Sequence, residues 1–384
     1  MMPHPASRHA QHATRAAFFI AGSSLAAWAP LVPYAQARAS LNEAQLGLLL
    51  LCLGIGSLIA MPLSGLFASR FGCRKVFTLA ATVLCAALPI LASSHTSWVL
   101  AVTLFVFGAA LGTADCVANI HAVTVEKASG RPLMSGFHGL FSLGGIIGAV
   151  GVSTLLSIGL APLYAALSIA LLILLALAIT WRYLLSHTAS TQDGPLFALP
   201  HGIVLVLGGL CFIAFLAEGA MLDWSAVYLT QMQNMATAQS GLGYAAFALT
   251  MTIGRLSGDW LIHRAGLLRV LVSGAALAAA GVALATLAPS WQLALVGYAL
   301  VGMGGANIAP IMYSLVGKQT TMPEAQAVPA LTTLGYAGIL VGPAMIGFVA
   351  YVTGLTAAFL IVAGLLLLVA LVGPTLGRSL PQAK

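Results

Sequence analysis

The stretch Ile203-Val-Leu-Val-Leu-Gly-Gly-Leu-Cys-Phe-Ile-Ala-Phe-Leu-Ala-Glu218-Gly-Ala-Met-Leu-Asp223-Trp224-Ser-Ala-Val-Tyr-Leu229 holds no basic residue and two acids. It exceeds the roughly 20 apolar residues that carry a helix across a bilayer. Blocks of the same character recur along the whole chain. Of 384 residues, 60% are hydrophobic and 6% charged, where soluble domains carry about 25% charged residues. With a mean hydropathy of +1.02, a soluble globule of this length cannot hide so much apolar surface. The composition points to an all-α membrane protein.

Working outward from that block, apolar runs between short polar breaks predict twelve spans. They cover residues 14–37, 44–68, 76–93, 98–123, 134–157, 162–181, 203–229, 240–262, 270–288, 291–316, 328–352 and 356–375. Arg8 and Arg15 before an apolar run, with Ala35-x-Ala37 after it, also fit a signal peptide, but that run continues to spanning length through Trp28 and Tyr34. Residues 1–13 read as a polar cytoplasmic tail, disordered rather than metal-binding despite His4, His9 and His12. The five cysteines are scattered, with neither a disulfide framework nor metal spacing, and no cofactor motif is present.

With the N-terminus inside, the cytoplasmic segments hold Arg8, Arg15, Arg70, Arg74, Lys75, Lys127, Arg131, Arg182, Arg264, Arg269, Lys318, Arg378 and Lys384. That is thirteen of the fifteen basic residues, with Arg38 outside and Arg255 inside a span. This is the positive-inside bias of a multi-pass protein with both termini cytoplasmic. The formal charge of +7 therefore reports topology in a cell (inner) membrane rather than a nucleic-acid partner.

A shift of about 194 positions superposes the chain on itself. Ala44, Gln45, Gly47 and Leu48 fall on Ala238, Gln239, Gly241 and Leu242; Arg70 and Gly72 on Arg264 and Gly266; Gly108 and Gly112 on Gly302 and Ala306; Gly144 and Gly148 on Gly338 and Gly342. The polar segment 183–200 lies between the copies as a cytoplasmic linker, leaving six-helix halves at 14–182 and 201–377 and a short tail at 378–384. Parallel repeats of this kind build a solute site at their interface in secondary transporters.

The loop Gly65-Leu-Phe-Ala-Ser-Arg70-Phe-Gly72-Cys-Arg74-Lys75 resembles the signature between the second and third helices of the major facilitator superfamily. Ser69 and Cys73 stand where that signature carries an acidic and a basic residue. The second copy, Gly254-Arg255-Leu-Ser-Gly258-Asp259 with His263-Arg264-Ala-Gly266, keeps more of the pattern. Glu126-Lys-Ala-Ser-Gly-Arg131-Pro, Phe137-His138-Gly-Leu-Phe-Ser-Leu-Gly and Glu218-Gly-Ala-Met-Leu-Asp223-Trp224-Ser-Ala-Val-Tyr228 are similar to the YbjJ-like branch, related to fucose-permease-like carriers. The resemblance implies two pseudo-symmetric six-helix bundles, a monomer working by alternating access, and a cytoplasmic gate that includes Arg70, Arg264, Arg255 and Asp259.

Acidic residues inside spans are costly and usually line a polar path. At 1.5 Å per residue, Glu218 lies roughly 22 Å and Asp223 roughly 30 Å into the seventh span. Glu218 is thus within the apolar core and Asp223 near the outer surface. No basic residue shares that span, so Glu218 is expected to lack a partner and to carry a coupling proton, the alternative being a protonated carboxyl bonded permanently between helices. Asp223 reads as a hydrated helix end or a gate, or as a solute contact. Asp115 and Asn119 share a face one turn apart, lining the inward half of a cavity or capping a polar contact near His138. Arg255 and Asp259 are spaced to pair on one face of the eighth span, as a gate or as a static ion pair. Trp28 and Trp224 are interfacial anchors or face the pathway, and Asn307 joins the candidate pathway residues.

The glycine pairs Gly108/Gly112, Gly144/Gly148 and Gly338/Gly342 read as small-xxx-small packing surfaces. Pro30, Pro33, Pro62, Pro310 and Pro343 would bend their helices. His-Glu-x-x-His, Gly-x-Ser-x-Gly and P-loop patterns are absent from the sequence, so the chain is not read as an enzyme, and uphill transport would need an ion gradient. The expectation is a secondary transporter moving a small polar solute, proton-coupled. Its rivals are an efflux antiporter of amphipathic compounds and a transporter-like sensor.

Overall fold

The computed structural model describes residues 4–41, 43–186, 199–233, 235, 239 and 241–379. Most of the linker, residues 187–198, and the end of the C-terminal tail, residues 380–384, lie outside the described residues. In the first span, α1 (Arg8–Trp28) and α2 (Val32–Arg38) flank a 3-10 turn at Ala29–Leu31. α3 (Glu43–Phe71), α4 (Cys73–Ser93), α5 (Ser97–Ser129), α6 (Met134–Ser157) and α7 (Pro162–Thr180) follow. The second half holds α8 (Ile203–Met232), α9 (Leu242–Ala265), α10 (Leu267–Leu287), α11 (Trp291–Gly305), α12 (Ile308–Val316), α13 (Glu324–Thr353) and α14 (Leu355–Ser379).

Eleven helical segments among the described residues are long and apolar enough to cross a membrane. α9 occupies the place of the eighth span, where Arg255 and Asp259 lower its hydropathy. Two spans are broken where proline removes a backbone donor: the first at Ala29–Leu31, beside Pro30 and Pro33, and the tenth between α11 and α12, just before Pro310. α3 runs unbroken through Pro62.

The expectation of disorder in the polar tail is corrected for residues 8–13, because α1 already begins at Arg8. The Ser7 hydroxyl accepts from the Ala10 amide at 3.2 Å, an N-cap that satisfies one of the orphan donors of the first turn. The Gln11 amide donates to Ser129 Oγ at 3.2 Å, and Ala10 and Ala13 are buried. This packing keeps the helix going in a stretch whose composition reads as solvated. His9 stacks on Tyr183, ring centroids 4.7 Å apart.

The chain forms two compact units. The first comprises Met1–Gly130, Leu140–Leu199 and Pro323–Pro329; the second comprises Arg131–Gly139, Pro200–Met322 and Ala330–Lys384. Each unit therefore takes in the opening turns of a helix whose remainder belongs to the other, α13 in the first case and α6 in the second.

The repeat read from the sequence is written in the backbone of both units. Gly72 between α3 and α4 has φ 83°, and Gly266 between α9 and α10 has φ 87°, a region that only glycine enters freely. A Cβ on Gly108 would strike the Leu53 carbonyl, and one on Gly302 the Phe247 carbonyl; Gly144 meets Phe19 in the same way, and Gly338 meets Phe212. Glycine at these points lets helix backbones touch, and the partners repeat at nearly the same offset as the glycines, Phe19 and Phe212 falling one position short of it.

A polar cap repeats as well. Arg38 Nε and Nη2 donate to the Ser94 and Leu91 carbonyls at 2.8 and 2.9 Å, and Gln233 Nε2 donates to the Ala288 carbonyl at 2.9 Å. Both close the end of the third helix of their half, where carbonyls lack intrahelical donors. The segment after α7 is held by the first unit. Arg74 Nε and Nη2 donate to the Leu184 and Arg182 carbonyls at 2.8 Å each, and the Leu185 amide donates to His121 Nε2 at 3.0 Å. That bond leaves the ring proton on Nδ1, 3.0 Å from Thr14 Oγ1, whose own hydroxyl donates to the Ala10 carbonyl. His121 is thus a neutral structural tie, satisfied on both nitrogens.

Candidate functional site

Glu218 of α8 does not lack a partner. Its Oε2 accepts from Arg255 Nη2 of α9 at 3.0 Å. The expectation of an unpartnered carboxyl fails because helical periodicity places residues within one helix and cannot say which neighbour supplies a cation. The guanidinium thus reaches across from α9 to α8. The Arg255 side chain is 6% exposed and that of Glu218 26%, so the cation is sunk in the unit and the carboxylate is the accessible member.

A guanidinium buried without compensation is strongly destabilising, and the local backbone supplies part of the answer. The Ala306 carbonyl would ordinarily accept from the amide four residues on, but that residue is Pro310, which has no N–H. The freed carbonyl accepts from Arg255 Nε at 3.4 Å. The break between α11 and α12 therefore serves the ion pair. Phe247, Met251, Ala214 and Ile308 join Glu218 and Arg255 around a cavity of about 10 Å³, the scale on which one water fits. Tyr244 lies within electrostatic reach of both members of the pair.

Asp259 reaches the start of α6, where its Oδ2 accepts from the Gly136 amide at 3.0 Å. A carboxylate beside the unsatisfied amides of a helix N-terminus is favoured by both hydrogen bond and dipole. The contact needs small residues: a Cβ on Gly258 would meet Asn307 Oδ1, and would lie 2.6 Å from Ser135 Cβ; one on Gly139 would lie 2.7 Å from Leu256 Cδ2. Asn307 is 6% exposed and its Nδ2 donates to the Gly254 carbonyl at 3.2 Å. His138 is also buried, its ring 5.4 Å from that of Tyr313.

The other expected site residues are not gathered around the ion pair. Asp115 and Asn119 are buried in the first unit, where Asn119 Nδ2 donates to the Asp115 carbonyl at 2.9 Å. Asp223 is exposed. Trp28 is buried, and neither its indole N–H nor that of Trp224 has a partner among the described residues. Arg70 and Arg264 are exposed and lie over the Phe71 and Trp260 rings at 5.4 and 4.6 Å. Neither makes an ion pair among the described residues.

The sequence model of the Major Facilitator Superfamily matches residues 16–320 and, in a second register, 206–383. The chain belongs to the major facilitator superfamily. It is 53% identical over 360 residues to an uncharacterised MFS-type transporter of Yersinia pestis, covering 94% of each chain. It is 33% identical over 348 residues to the membrane protein MosC of Rhizobium meliloti, covering 90% of this chain and 84% of that one. Among solved structures, the fucose:proton symporter FucP of E. coli matches with a TM-score of 0.77 at 19% identity, over 97% of this chain and 98% of that one. The proton:xylose symporter XylE matches with a TM-score of 0.77 at 14% identity, over 96% and 95%. The family is one of transporters, not enzymes, and the chain is a multi-pass membrane protein of a bacterial transporter family.

In this superfamily member the first signature loop has lost its acid, and Ser69 Oγ donates to the Leu66 carbonyl of its own helix at 2.8 Å. Charge reappears nearby in a form that sequence reading passed over. Lys127 Nζ lies 2.8 Å from Glu324 Oε2, and Thr124 Oγ1 lies 3.1 Å from Glu324 Oε1. Glu324 opens α13, so its carboxylate also complements that helix N-terminus. The two units thus carry parallel arrangements, Glu324 at the start of α13 and Asp259 against the start of α6. Spacing offered no route to the first, because 197 positions separate its partners.

Proposed function

We propose that the chain is a proton-coupled secondary carrier of a small polar solute, working as a monomer by alternating access in the cytoplasmic membrane with both termini inside. The observation that carries this reading is the Glu218–Arg255 pair. An ionisable carboxylate inside an apolar span is expensive unless it serves transport or structure, and this one is the more accessible member of its pair. In the ionised state Glu218 ties α8 to α9. A proton on Glu218 removes the charge–charge attraction and loosens the tie, so protonation and helix position are linked. Two structural neighbours are described as proton symporters of sugars; at 14 and 19% identity their likeness extends to the fold, and the coupling rests on the pair.

Gating is assigned to the start of α6 on α9. Asp259 holds the Gly136 amide, and release of that bond would free the opening turn of α6. The test is uptake into proteoliposomes of a solute selected by thermal stabilisation of the purified protein. An imposed inward proton gradient is expected to drive accumulation by the wild type. Glu218→Gln, which mimics the protonated carboxyl, is expected to bind and exchange solute without accumulating it. Wild-type accumulation by that variant would remove Glu218 from the mechanism.

A further inference from the structure

We propose that the first unit binds the headgroup of an anionic phospholipid at the end where α1 and α4 begin and α7 stops. Arg182 stands at the centre of this site, and Arg8 and Lys75 flank it from the first turns of α1 and α4. No residue of the Glu218–Arg255 site takes part.

Contacts from two helices converge on the 3-10 turn Trp181–Tyr183 that follows α7. Tyr183 stacks on His9 of α1, ring centroids 4.7 Å apart, and the Arg182 guanidinium carbon lies 4.7 Å from the centre of the Tyr183 ring. From α4, Arg74 Nη2 donates to the Arg182 carbonyl at 2.8 Å, and its guanidinium carbon lies 5.4 Å from the centre of the Trp181 ring. The turn is thus pinned between α1 and α4, and Arg74 is occupied in holding it. Arg8, Lys75 and Arg182 are exposed and make no ion pair among the described residues.

Charge and surface together name the occupant. α1, α4, α7 and the turn carry Arg8, Arg15, Arg74, Lys75 and Arg182 and no acid. The described acids near them belong to α5 and α13. Glu126 lies one turn before the Ser129 that takes the Gln11 amide, and Glu324, within electrostatic reach of Cys73, is already 2.8 Å from Lys127. The positive excess favours an anion at this end. A guanidinium gives paired hydrogen bonds to phosphate oxygens, and cations beside a membrane attract acidic headgroups. Next to the cations the surface turns apolar. Leu171, Leu175 and Ile179 are exposed at four-residue spacing along α7, and Arg182 follows three positions on. On α4, Leu79 is 67% exposed, one turn from Lys75. Trp181, 48% exposed, stands at the border, where amphipathic rings settle in membrane proteins. A free phosphate would meet the cations and leave the aliphatic stripe bare; a phospholipid covers both.

The probes are phosphatidylglycerol and phosphatidylcholine with dibrominated acyl chains, titrated into the full chain in detergent micelles. Bromine quenches a tryptophan that it touches, and the Trp181 signal is the difference between the wild type and Trp181→Phe. Phosphatidylglycerol is expected to quench that signal in a saturable manner, at much lower concentration than phosphatidylcholine. Arg182→Gln is expected to weaken its binding about fivefold and Arg8→Gln/Arg182→Gln about 25-fold. Arg269→Gln/Lys318→Gln, which removes two exposed cations of the second unit, should leave it unchanged. If the Arg8→Gln/Arg182→Gln protein melts early, Arg182→Gln alone decides. Equal quenching by the two lipids, as from an ordinary lipid annulus, overturns the proposal, as does the same loss in the second-unit variant. Displacement of phosphatidylglycerol by inorganic phosphate, beyond the effect of sodium chloride at equal ionic strength, would mark a free-anion site and overturn it too.

Discussion

Arg255 Nη2 lies 3.0 Å from Glu218 Oε2, joining two helices through residues 37 positions apart. The contact places the most deeply set cation among the described residues of the second unit against the one acid in the apolar middle of α8. A double-mutant cycle over Glu218→Gln and Arg255→Gln is expected to show coupling of about 1–3 kcal/mol. That is less than the 3–5 kcal/mol lost on breaking a fully buried pair, because Glu218 is partly exposed. Chemical or thermal denaturation in a fixed detergent measures it, and additive effects would show that the two side chains do not stabilise one another.

The bed of α6 on α9 predicts a contrast between two glycines. Gly258→Ala would drive a methyl group into Asn307 Oδ1 and Ser135 Cβ, an overpacking that typically costs about 1–3 kcal/mol. Gly209→Ala meets nothing within 4 Å and is expected to be neutral, or to gain up to about 1 kcal/mol from helix propensity. Melting temperatures of the two variants decide the matter. Equal effects would contradict the packing described.

Much of the fold was legible in the sequence because the repeated features are ones that a residue type encodes by itself. Gly72 and Gly266 are needed where φ is positive, and Gly108 and Gly302 where backbones touch, so a fixed offset betrays them. The pairings were not legible. Arg38, Arg74 and His121 bind backbone carbonyls and an amide, which every residue offers and no sequence marks. Glu218 and Arg255 sit on different helices, and periodicity within α8 names a face but not the neighbour it meets. Helix α1 begins before its apolar run because Ser7 and Gln11 find partners, a tertiary effect that composition misses.

The capping role of Arg38 has its own test. Arg38→Ala loses two bonds to the end of α4 and is expected to destabilise by about 1–2 kcal/mol. Arg38→Gln should keep part of that stability, since Gln233 performs the corresponding task at the end of α10 with one bond. Melting curves for both variants check the order; an Arg38→Gln protein no more stable than Arg38→Ala would argue against it.

The basic loops predict the orientation. In a background lacking native cysteines, an impermeant thiol reagent on intact cells is expected to label a cysteine at Thr96 and spare one at Ser190, which lies outside the described residues. The reverse pattern would invert the topology and place the Asp259–Gly136 contact on the outer side.

The central claim is that a proton on Glu218 shifts the conformational balance of the carrier. It can be measured without knowing the solute, by electron-electron resonance distances between spin labels at Ser97 and Gln292 as pH is lowered. The wild type is expected to move between two distance populations. Glu218→Gln should hold the low-pH population throughout. A Glu218→Gln protein that follows pH as the wild type does would contradict the account.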